Sequence, residues 1–332
     1  MKIISALLLL AATFLSGCER QEPQKPVERI TVQLKWVHQA QFAGCYIAEK
    51  NGFYQSENID TTLNAGGADI SADIIIADLI GGKSHFAIIG GDEFLNAIYM
   101  DTPIVAIAVI FQRNPYGYAS LKGSKIYRPR DLIGKKIMVP NDGRIQHDAL
   151  LLKSGIAETD IEQIPYKRDI TPLLTGSIDV HMVYRTGLPL AFEEKGVELN
   201  FIWMDDYGIQ FYADTIVTTE QLVQQNPKLV ENFLKATLKG WRYAIEHPTE
   251  AVDATLKYDT ALSRYRQMQM MNIQISLIHT GKSPIGWMEM AVWKRMQDTL
   301  EREYALLNEY KKADIKKACI MKFLKKIYDI SE

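Results

Sequence analysis

The feature that most constrains the fold is a repeated alternation of strand-like and helix-like segments, several of which end at glycine pairs. Residues 30–36 alternate apolar and polar side chains as a half-buried strand does, and residues 40–50 follow with helical spacing. Further strands are expected over residues 59–63, 85–89 and 104–111, with helices between them. Strands that alternate with helices predict a mainly parallel sheet covered by helices on both faces.

The same alternation restarts near residue 130 and continues to about residue 203, and the chain is helical after about residue 218. A second α/β unit placed before a helical tail predicts two lobes, of which the first is discontinuous. The first lobe would comprise residues 29–113 and 213–332, including the helical tail, and the second lobe residues 114–212. Two crossings between lobes form a hinge, and the cleft beside a hinge is a natural ligand site.

The amino terminus has the pattern of a targeting segment. A lysine at position 2, an apolar run over residues 3–14 and small residues before Cys18 predict a secretory signal over residues 1–17. The sequence Leu-Ser-Gly-Cys at residues 15–18 also resembles the bacterial lipoprotein box, which implies cleavage before Cys18 and acylation of its thiol. The alternative is an ordinary signal peptide with a chance cysteine. Residues 18–28 are polar and read as a tether, so the chain is expected on the periplasmic or extracellular face of a membrane.

Composition excludes several classes of protein. The net charge of −2 gives no electrostatic case for nucleic acid binding, and no second stretch is apolar enough to span a bilayer. Cys45 and Cys319 could pair in an oxidising compartment, but two buried free thiols are the favoured interpretation. No metal-ligand spacing, nucleophile elbow or P-loop is present, so we expect a monomeric binding protein without metal or cofactor rather than an enzyme.

Candidate ligand contacts follow the strands, because ligands of open α/β sheets lie beyond the carboxyl ends of the strands. Residues 35–46 are dense in aromatic and amide side chains, which stack on a planar ring and hydrogen-bond its edge. There we favour ligand contact for Trp36, His38 and Gln41 over a purely structural role. The other candidates follow later strands or lie at the two crossings: Gly67, Asp69, Gly91, Asp92, Gln112, Asn141, Tyr184, Arg185 and Tyr212.

Each of these later candidates also has a structural interpretation as hinge packing or a solvated loop. Asp92 fits equally well as the N-cap of the helix that follows it. Arg185 is the most informative charge: in the cleft it would indicate an anionic or acceptor-rich ligand. Paired with Asp179 or Glu193, it would indicate nothing about the ligand.

Four stretches carry a family resemblance. They are residues 32–46 (VQLKWVHQAQFAGCY), 110–115 (IFQRNP), 129–136 (PRDLIGKK) and 226–248, which includes Lys-Gly-Trp-Arg-Tyr-Ala. They resemble the binding proteins for thiamine-pyrimidine precursors and riboflavin, which belong with the sulfonate, taurine and nitrate binders of ABC importers. The resemblance implies a type II periplasmic-binding fold, an ABC permease and ATPase as partners, and ligand contact by Trp36 and Gln41.

Two departures from the family pattern bear on the ligand. The family often has Thr-Asn-Glu-Pro where this chain has Thr186-Gly187-Leu188-Pro189, so Leu188 replaces a carboxylate that would recognise a basic heterocycle edge. This departure weakens the assignment of an aminopyrimidine and leaves other heterocycles, sulfonate or nitrate open. Cys45 stands where the family commonly has tyrosine.

The same fold is shared by a thiamine pyrimidine synthase that makes hydroxymethylpyrimidine phosphate from pyridoxal phosphate and its own histidine. This chain resembles that enzyme in the first strand–helix region but lacks its cysteine-rich iron motif and its active histidine and lysine. The sequence therefore predicts a solute-binding lipoprotein that captures a small planar heterocycle for an ABC importer. The synthase-like enzyme is the alternative.

Overall fold

The computed structural model describes residues 26–67, 70–303 and 314–330. The predicted signal segment, Cys18, most of the predicted tether and Asp69 lie outside the described residues, so the predictions made for them stay predictions. Cys45 and Cys319 are both buried free thiols, as favoured from the sequence.

The first sheet contains five strands within the described ranges, in the spatial order β2-β1-β3-β10-β4. The pairs β1–β2 and β1–β3 are parallel, whereas β10 runs antiparallel to both of its neighbours, β3 and β4. The strands are β1 Glu28–Gln33, β2 Ile59–Asn64, β3 Phe86–Ile89, β4 Ile104–Phe111 and β10 Ala213–Thr219. This sheet and its helices form the first lobe.

The second sheet lies between β4 and β10 in the sequence and has the order β7-β6-β8-β5-β9. The pairs β6–β7 and β6–β8 are parallel, and β5 is antiparallel to both β8 and β9. Its strands are β5 Tyr116–Leu121, β6 Lys136–Met138, β7 Glu162–Ile164, β8 Val180–Tyr184 and β9 Leu199–Trp203. This sheet and its helices form the second lobe.

Helices cover both sheets and make up most of the chain after β10. In order they are α1 Ala43–Lys50, α2 Phe53–Ser56, α3 Ala72–Ile80, α4 Gly91–Tyr99, α5 Arg144–Ser154, α6 Thr171–Leu174, α7 Leu188–Glu193, α8 Glu220–Gln225, α9 Pro227–Glu246, α10 Pro248–Thr255, α11 Arg264–Ile278, α12 Met290–Glu303, α13 Ile315–Ala318 and α14 Lys322–Ile327. None of the helices in the described ranges is both long enough and apolar enough to cross a membrane.

The predicted two-lobed α/β fold is confirmed, with one refinement of its topology. Each sheet is mixed because the strand that enters it from the crossing, β5 or β10, runs antiparallel to its neighbours. Strands β5 and β10 were not predicted from the sequence. In β5, Gly117 and Ser120 interrupt the apolar residues, so it shows neither the alternation of a half-buried strand nor the apolar run of a buried one. The finer boundaries predicted for the lobes stay a prediction.

The starts of helices α3 and α4 are fixed by hydrogen bonds to backbone amides. Helix α3 begins at Ala72, where the Ser71 hydroxyl accepts a hydrogen bond from the Ile74 amide. Helix α4 begins at Gly91, and the Glu93 carboxylate accepts the Gly90 amide at 2.6 Å. Asp92 is therefore not the N-cap of α4, and its buried carboxylate is directed elsewhere.

A close approach of α1 and α9 fixes the segment that follows β1. A Cβ on Gly44 would lie 2.3 Å from the Trp241 ring, and a Cβ on Gly240 would lie 2.1 Å from the Gly44 carbonyl oxygen. Only glycine allows this separation of the helices, because any side chain there would overlap its neighbour. The contact holds the start of α1, and with it Gln41, against the body of the first lobe.

The lobes touch each other on the side of α11. Arg266 of α11 pairs with Glu194 at the end of α7, and the Tyr265 hydroxyl donates to Glu193 over 3.2 Å. Beneath these polar contacts, Leu190 of α7 packs with Ala40 and Met270 of the first lobe. The two sheets are thus held in a defined relationship across the cleft.

Candidate ligand-binding site

Side chains from both lobes meet at the carboxylate of Asp214, near the start of β10. It is 1 % exposed, and its residue has a left-handed backbone with φ of +50°, a conformation that costs an aspartate free energy. The Lys35 ammonium lies 3.2 Å from its Oδ1 atom. The Gln41 amide donates to both of its oxygens at 2.9 Å. The Tyr184 hydroxyl, from the second lobe, approaches the same Oδ1 atom at 3.4 Å.

Three more carboxylates act electrostatically on the ammonium of Lys35, which lies two residues beyond β1. Burial by itself lowers the pKa of Lys35, but the nearby carboxylates outweigh burial and raise it above the ordinary lysine value. Lys35 is therefore a fully charged ammonium at neutral pH. We call this group the Lys35 cluster: Lys35, Asp92, Glu93, Asp142 and Asp214.

The Lys35 cluster draws its members from both lobes. Asp92 and Glu93 open helix α4 of the first lobe, and Asp142 precedes helix α5 of the second. Burial is the main cause that raises the pKa of Glu93 to about 7, and the Asp92 carboxylate adds to this effect while Lys35 opposes it. Burial also raises the pKa of Asp92. Both acids thus bind protons more readily than surface carboxylates do.

Aromatic rings stand beside the Lys35 cluster. The Tyr116 and Tyr184 rings meet edge to face with centroids 5.0 Å apart, and the Tyr116 hydroxyl donates to Asp142 over 2.7 Å. The Lys35 ammonium lies 5.5 Å from the Tyr184 ring centroid. The Arg168 guanidinium of the second lobe lies 5.0 Å from the ring centroid of half-buried Trp36 in the first lobe. This contact links the two lobes. Such rings can enclose a planar ligand.

The structure brings three of the predicted site residues to the Lys35 cluster. Gln41 and Tyr184 hydrogen-bond Asp214, and buried Asp92 accepts a 3.2 Å hydrogen bond from Gln146 of helix α5. Trp36 adjoins the cluster through Lys35, its neighbour in the chain. Their contact with a ligand stays a prediction, but their convergence is a property of the fold.

Several other predicted residues have contacts elsewhere. The His38 Nδ1 atom and the Tyr46 hydroxyl are 3.0 Å apart, and the His38 ring stands 4.9 Å from that of Tyr258, so it packs within the first lobe. Gln112 donates to the Pro284 carbonyl at 3.0 Å. The Tyr212 hydroxyl accepts the Glu289 amide at 2.9 Å.

Three predicted positions show no side-chain contact with the Lys35 cluster. The Gly91 amide donates to the Tyr212 carbonyl at 3.2 Å, so it joins α4 to the second crossing. Gly67 is half-buried, and a Cβ there would meet nothing within 4 Å. Asn141 is exposed in the turn before α5, next to Asp142. A ligand role for these three stays a prediction.

Arg185 lines a separate cavity of about 480 Å³ between α7, β9 and α11. Its guanidinium lies 4.0 Å from the Trp203 ring centroid, and the Phe201 ring stacks on Trp203 at 4.8 Å. Burial and the neighbouring Arg113 guanidinium lower the pKa of Arg185. Arg185 forms no ion pair with Asp179 or Glu193 within the described residues, so it gives no sign of an anion in the central cleft.

Sequence reasoning overlooked the charged members of the cluster other than Asp92. Lys35 is one of the polar residues in the alternating segment 30–36, so its polarity is already explained by a half-buried strand. Glu93 and Asp142 are each next to a predicted site residue, Asp92 and Asn141 respectively. Asp214 and Tyr116 depend on strands β10 and β5, and β5 had no clear signal. A search for carboxylates adjoining the two crossings would have found Asp214.

Comparisons with known proteins agree with this architecture. A family model described as NMT1/THI5 like matches residues 39–251, which is more than half of the chain. The riboflavin-binding protein RibY of Chloroflexus aurantiacus is 23% identical over 291 residues, which cover 83% of this chain and 81% of RibY. The formylaminopyrimidine-binding protein of Halalkalibacterium halodurans is 24% identical, covering 91% of this chain and 95% of its own.

An enzyme and a solved structure are also similar. The 4-amino-5-hydroxymethyl-2-methylpyrimidine phosphate synthase of Legionella pneumophila is 24% identical, covering 68% of this chain and 72% of the enzyme. The periplasmic aliphatic sulphonate binding protein SsuA from Escherichia coli superposes with a TM-score of 0.67 at 14% identity, covering 88% of this chain and 91% of SsuA. At that identity the structural likeness establishes the fold: that of periplasmic binding proteins.

Proposed function

Because this chain belongs to the NMT1/THI5-like family, we propose that it is an extracytoplasmic solute-binding protein that captures a small planar heterocycle for an ABC importer. Its two-lobed fold supports this role, since closure of two lobes encloses a ligand between them. Two similar proteins carry the names of riboflavin-binding and formylaminopyrimidine-binding proteins. A permease and an ATPase would then be its partners in the membrane.

One observation carries the proposal: Tyr184 of the second lobe meets Asp214 of the first lobe beside Lys35 and Gln41. Charged, amide and aromatic groups from both lobes therefore converge at one place in the cleft. A site of this kind can stack a ring between aromatic faces and hydrogen-bond its edge.

The experiment is a thermal-stability titration of the soluble domain with riboflavin, thiamine, hydroxymethylpyrimidine, alkanesulfonates and nitrate. A heterocycle at 100 times its dissociation constant should raise the unfolding free energy by about 2.7 kcal/mol, a shift of roughly 5 °C for a chain of this size. Trp36→Ala should abolish the shift, and Tyr127→Ala, an exposed tyrosine elsewhere, should leave it intact. No shift with any heterocycle would refute the proposal.

The enzyme alternative has one observation in its favour, a lysine in the cleft of a chain similar to a pyrimidine phosphate synthase. The electrostatics of that lysine oppose it. A lysine that attacks a carbonyl cofactor must lose its proton, whereas the carboxylates around Lys35 raise its pKa. Adding pyridoxal phosphate and recording the absorbance spectrum tests this point, and we expect no spectral change that indicates a covalent bond to lysine.

We further propose that Cys18 is lipidated and that residues 18–28 tether the folded lobes to the membrane. The proposal rests on the sequence of the amino terminus. Expression in a bacterial host with labelled palmitate should label the wild-type protein, which should fractionate with membranes. Cys18→Ala should lose the label and appear in the soluble extracytoplasmic fraction, whereas Cys45→Ala should stay membrane-bound.

A further inference from the structure

The charge of the cleft is unbalanced. Four carboxylates of the Lys35 cluster face one ammonium. The Lys35 ammonium forms an ion pair with Asp214 at 3.2 Å, so its positive charge is already balanced by that carboxylate. Within the described residues, Asp92, Glu93 and Asp142 have no lysine, arginine or histidine nitrogen within 4.0 Å. The cleft therefore presents more negative charge than its own cations neutralise.

Neutral donors provide the hydrogen bonds of these three carboxylates. Asp92 accepts from the Gln146 amide at 3.2 Å, Glu93 from the Gly90 backbone amide at 2.6 Å, and Asp142 from the Tyr116 hydroxyl at 2.7 Å. These bonds orient the carboxylates but leave their net charge in place. A buried carboxylate that no cation contacts directly, as is the case for Asp92, is costly, so such a group binds either a proton or a cation.

A second observation points to a ligand that donates hydrogen bonds. The Gln146 side chain is 2 % exposed, and its Oε1 atom is buried with no hydrogen-bond partner in the described part of the chain. The Nε2 atom of the same amide is held by Asp92, which fixes the amide beside the Lys35 cluster. A buried carbonyl oxygen of this kind requires a donor. Carboxylates and an amide oxygen together form an acceptor-rich surface.

From this geometry we infer that the cleft takes its ligand as an organic cation, a nitrogen base whose N–H groups and positive charge meet Asp92, Asp142 and the Gln146 oxygen. This inference rests on the proposed function and narrows its ligand class. The aromatic rings of Tyr116 and Tyr184 suit the same ligand, because aromatic faces attract cations. An anionic sulfonate or nitrate would instead face three uncompensated carboxylates.

A metal ion fits the cluster less well than an organic cation does. Among the described residues there is no group of three or more histidine, cysteine, aspartate or glutamate side chains placed to hold one metal ion. The carboxylates come from both lobes: Asp92, Glu93 and Asp214 belong to the first and Asp142 to the second.

The test uses matched probes that differ in charge and share one ring. N1-methylnicotinamide is a permanent cation, nicotinamide is neutral and nicotinate is an anion. Riboflavin and its 5′-phosphate give a second pair, neutral and anionic, and thiamine is a larger permanent cation. Calorimetric titration at pH 8 should show that N1-methylnicotinamide binds at least about tenfold more tightly than nicotinamide, with nicotinate the weakest.

Two variants connect the effect to the carboxylates. Asp142 lies in an exposed turn, so Asp142→Asn should fold normally, and it should weaken binding of the cation about 30-fold and binding of the neutral probe by much less. Asp92→Asn should act in the same direction. Asp60→Asn, an equally conservative change on the surface beside Arg29, should alter neither probe.

The outcomes separate this inference from the proposed function. Tighter binding of the neutral or anionic member of a set would overturn the inference and leave the function intact. If Asp142→Asn weakened the binding of the cationic and the neutral probe equally, the inference would be overturned as well, since the charge of the ligand would then be irrelevant. Failure of every heterocycle to bind would overturn both proposals.

Discussion

Gln146 in the second lobe donates a hydrogen bond to Asp92 in the first lobe, 3.2 Å away. On the side of α11, Arg266 and Glu194 form a second connection between the lobes. One contact uses a buried amide and the other a partly exposed ion pair, and both add to the contacts that Tyr184, Arg168 and Leu190 make with the first lobe. This arrangement implies that the lobes associate through the protein's own contacts as well as through a ligand.

The double variant Gln146→Ala with Arg266→Ala should open the lobes of the ligand-free protein. The hydrogen bond of Gln146 and the ion pair of Arg266 both go to the other lobe, so the fold within each lobe should survive. Small-angle X-ray scattering should show a larger radius of gyration than for the wild type. The matched control combines Gln225→Ala with Arg264→Ala, whose partners lie in the same lobe, and should leave the radius unchanged. Identical radii for both variants would contradict the prediction.

Lys35→Met should destabilise the protein because it leaves the buried Asp214 carboxylate without its ammonium. We expect the free energy of unfolding to fall by roughly 3 kcal/mol, measured by urea titration at pH 7. Adding Asp214→Asn should restore part of this loss, since the uncompensated charge disappears. Lys83→Met, which removes an exposed partner of Asp78, should change stability by less than about 0.5 kcal/mol.

Glu93 should make stability depend on pH in the neutral range. Its folded pKa of about 7 lies above the unfolded value because of burial, opposed by Lys35 and reinforced by Asp92 and Asp142. A raised carboxyl pKa favours the folded state below the unfolded pKa, and this stability is lost as pH rises towards 7. From pH 5 to pH 8, wild type should therefore lose roughly 2 kcal/mol relative to Glu93→Gln.

Urea titrations of both proteins at several pH values measure this difference. The difference between the two free energies of unfolding cancels the contribution of histidines, which both proteins share. One of them is His147, whose pKa is lowered to about 3 by burial and whose effect on stability has the opposite sign. In the Glu93→Gln variant the side-chain amide oxygen can still accept the Gly90 amide, so the helix start is preserved. A constant difference across the range would show that Glu93 titrates normally.

Gly44→Ala should destabilise the first lobe because its Cβ would lie 2.3 Å from the Trp241 ring. Relief requires α1 and α9 to separate, so we expect a loss of roughly 3 kcal/mol and a weaker ligand response through the displaced Gln41. Gly123→Ala is the control, since a Cβ there meets nothing within 4 Å. Thermal unfolding of the two variants tests the comparison, and equal midpoints would count against the close contact.

The fold followed from patterns that act locally. Strand alternation and glycine stops predicted both α/β units, because burial of one strand face and helix termination depend on neighbours in the chain. Strand β5 was not predicted because Gly117 and Ser120 interrupt its apolar residues. The antiparallel direction of β5 and β10 was also not predicted, because strand direction here depends on how the chain enters each lobe and not on the residue pattern.

The site followed from sequence only in part. Gln41, Asp92 and Tyr184 were chosen because they follow strands, and all three reach the Lys35 cluster. His38 looked equally suitable, yet its ring packs with Tyr46 and Tyr258, the latter far along the chain. Asp214 adjoins the predicted second crossing, but its contacts with Lys35 and Gln41 depend on the three-dimensional fold. Charge balance between distant segments is a three-dimensional property, which is why the excess of carboxylates had no sequence signal.

The pairing of β4 with β10 has a consequence for protein engineering. Phe111 and Ala213 are partners in this antiparallel pair, so the chain leaves and re-enters the first lobe at adjacent positions, about 5 Å apart. A contiguous segment with adjacent ends can be excised, joined to another scaffold or exchanged as a cassette between relatives. Chimaeras that keep the first lobe and trade the second would reassign ligand preference without rebuilding the discontinuous half of the molecule.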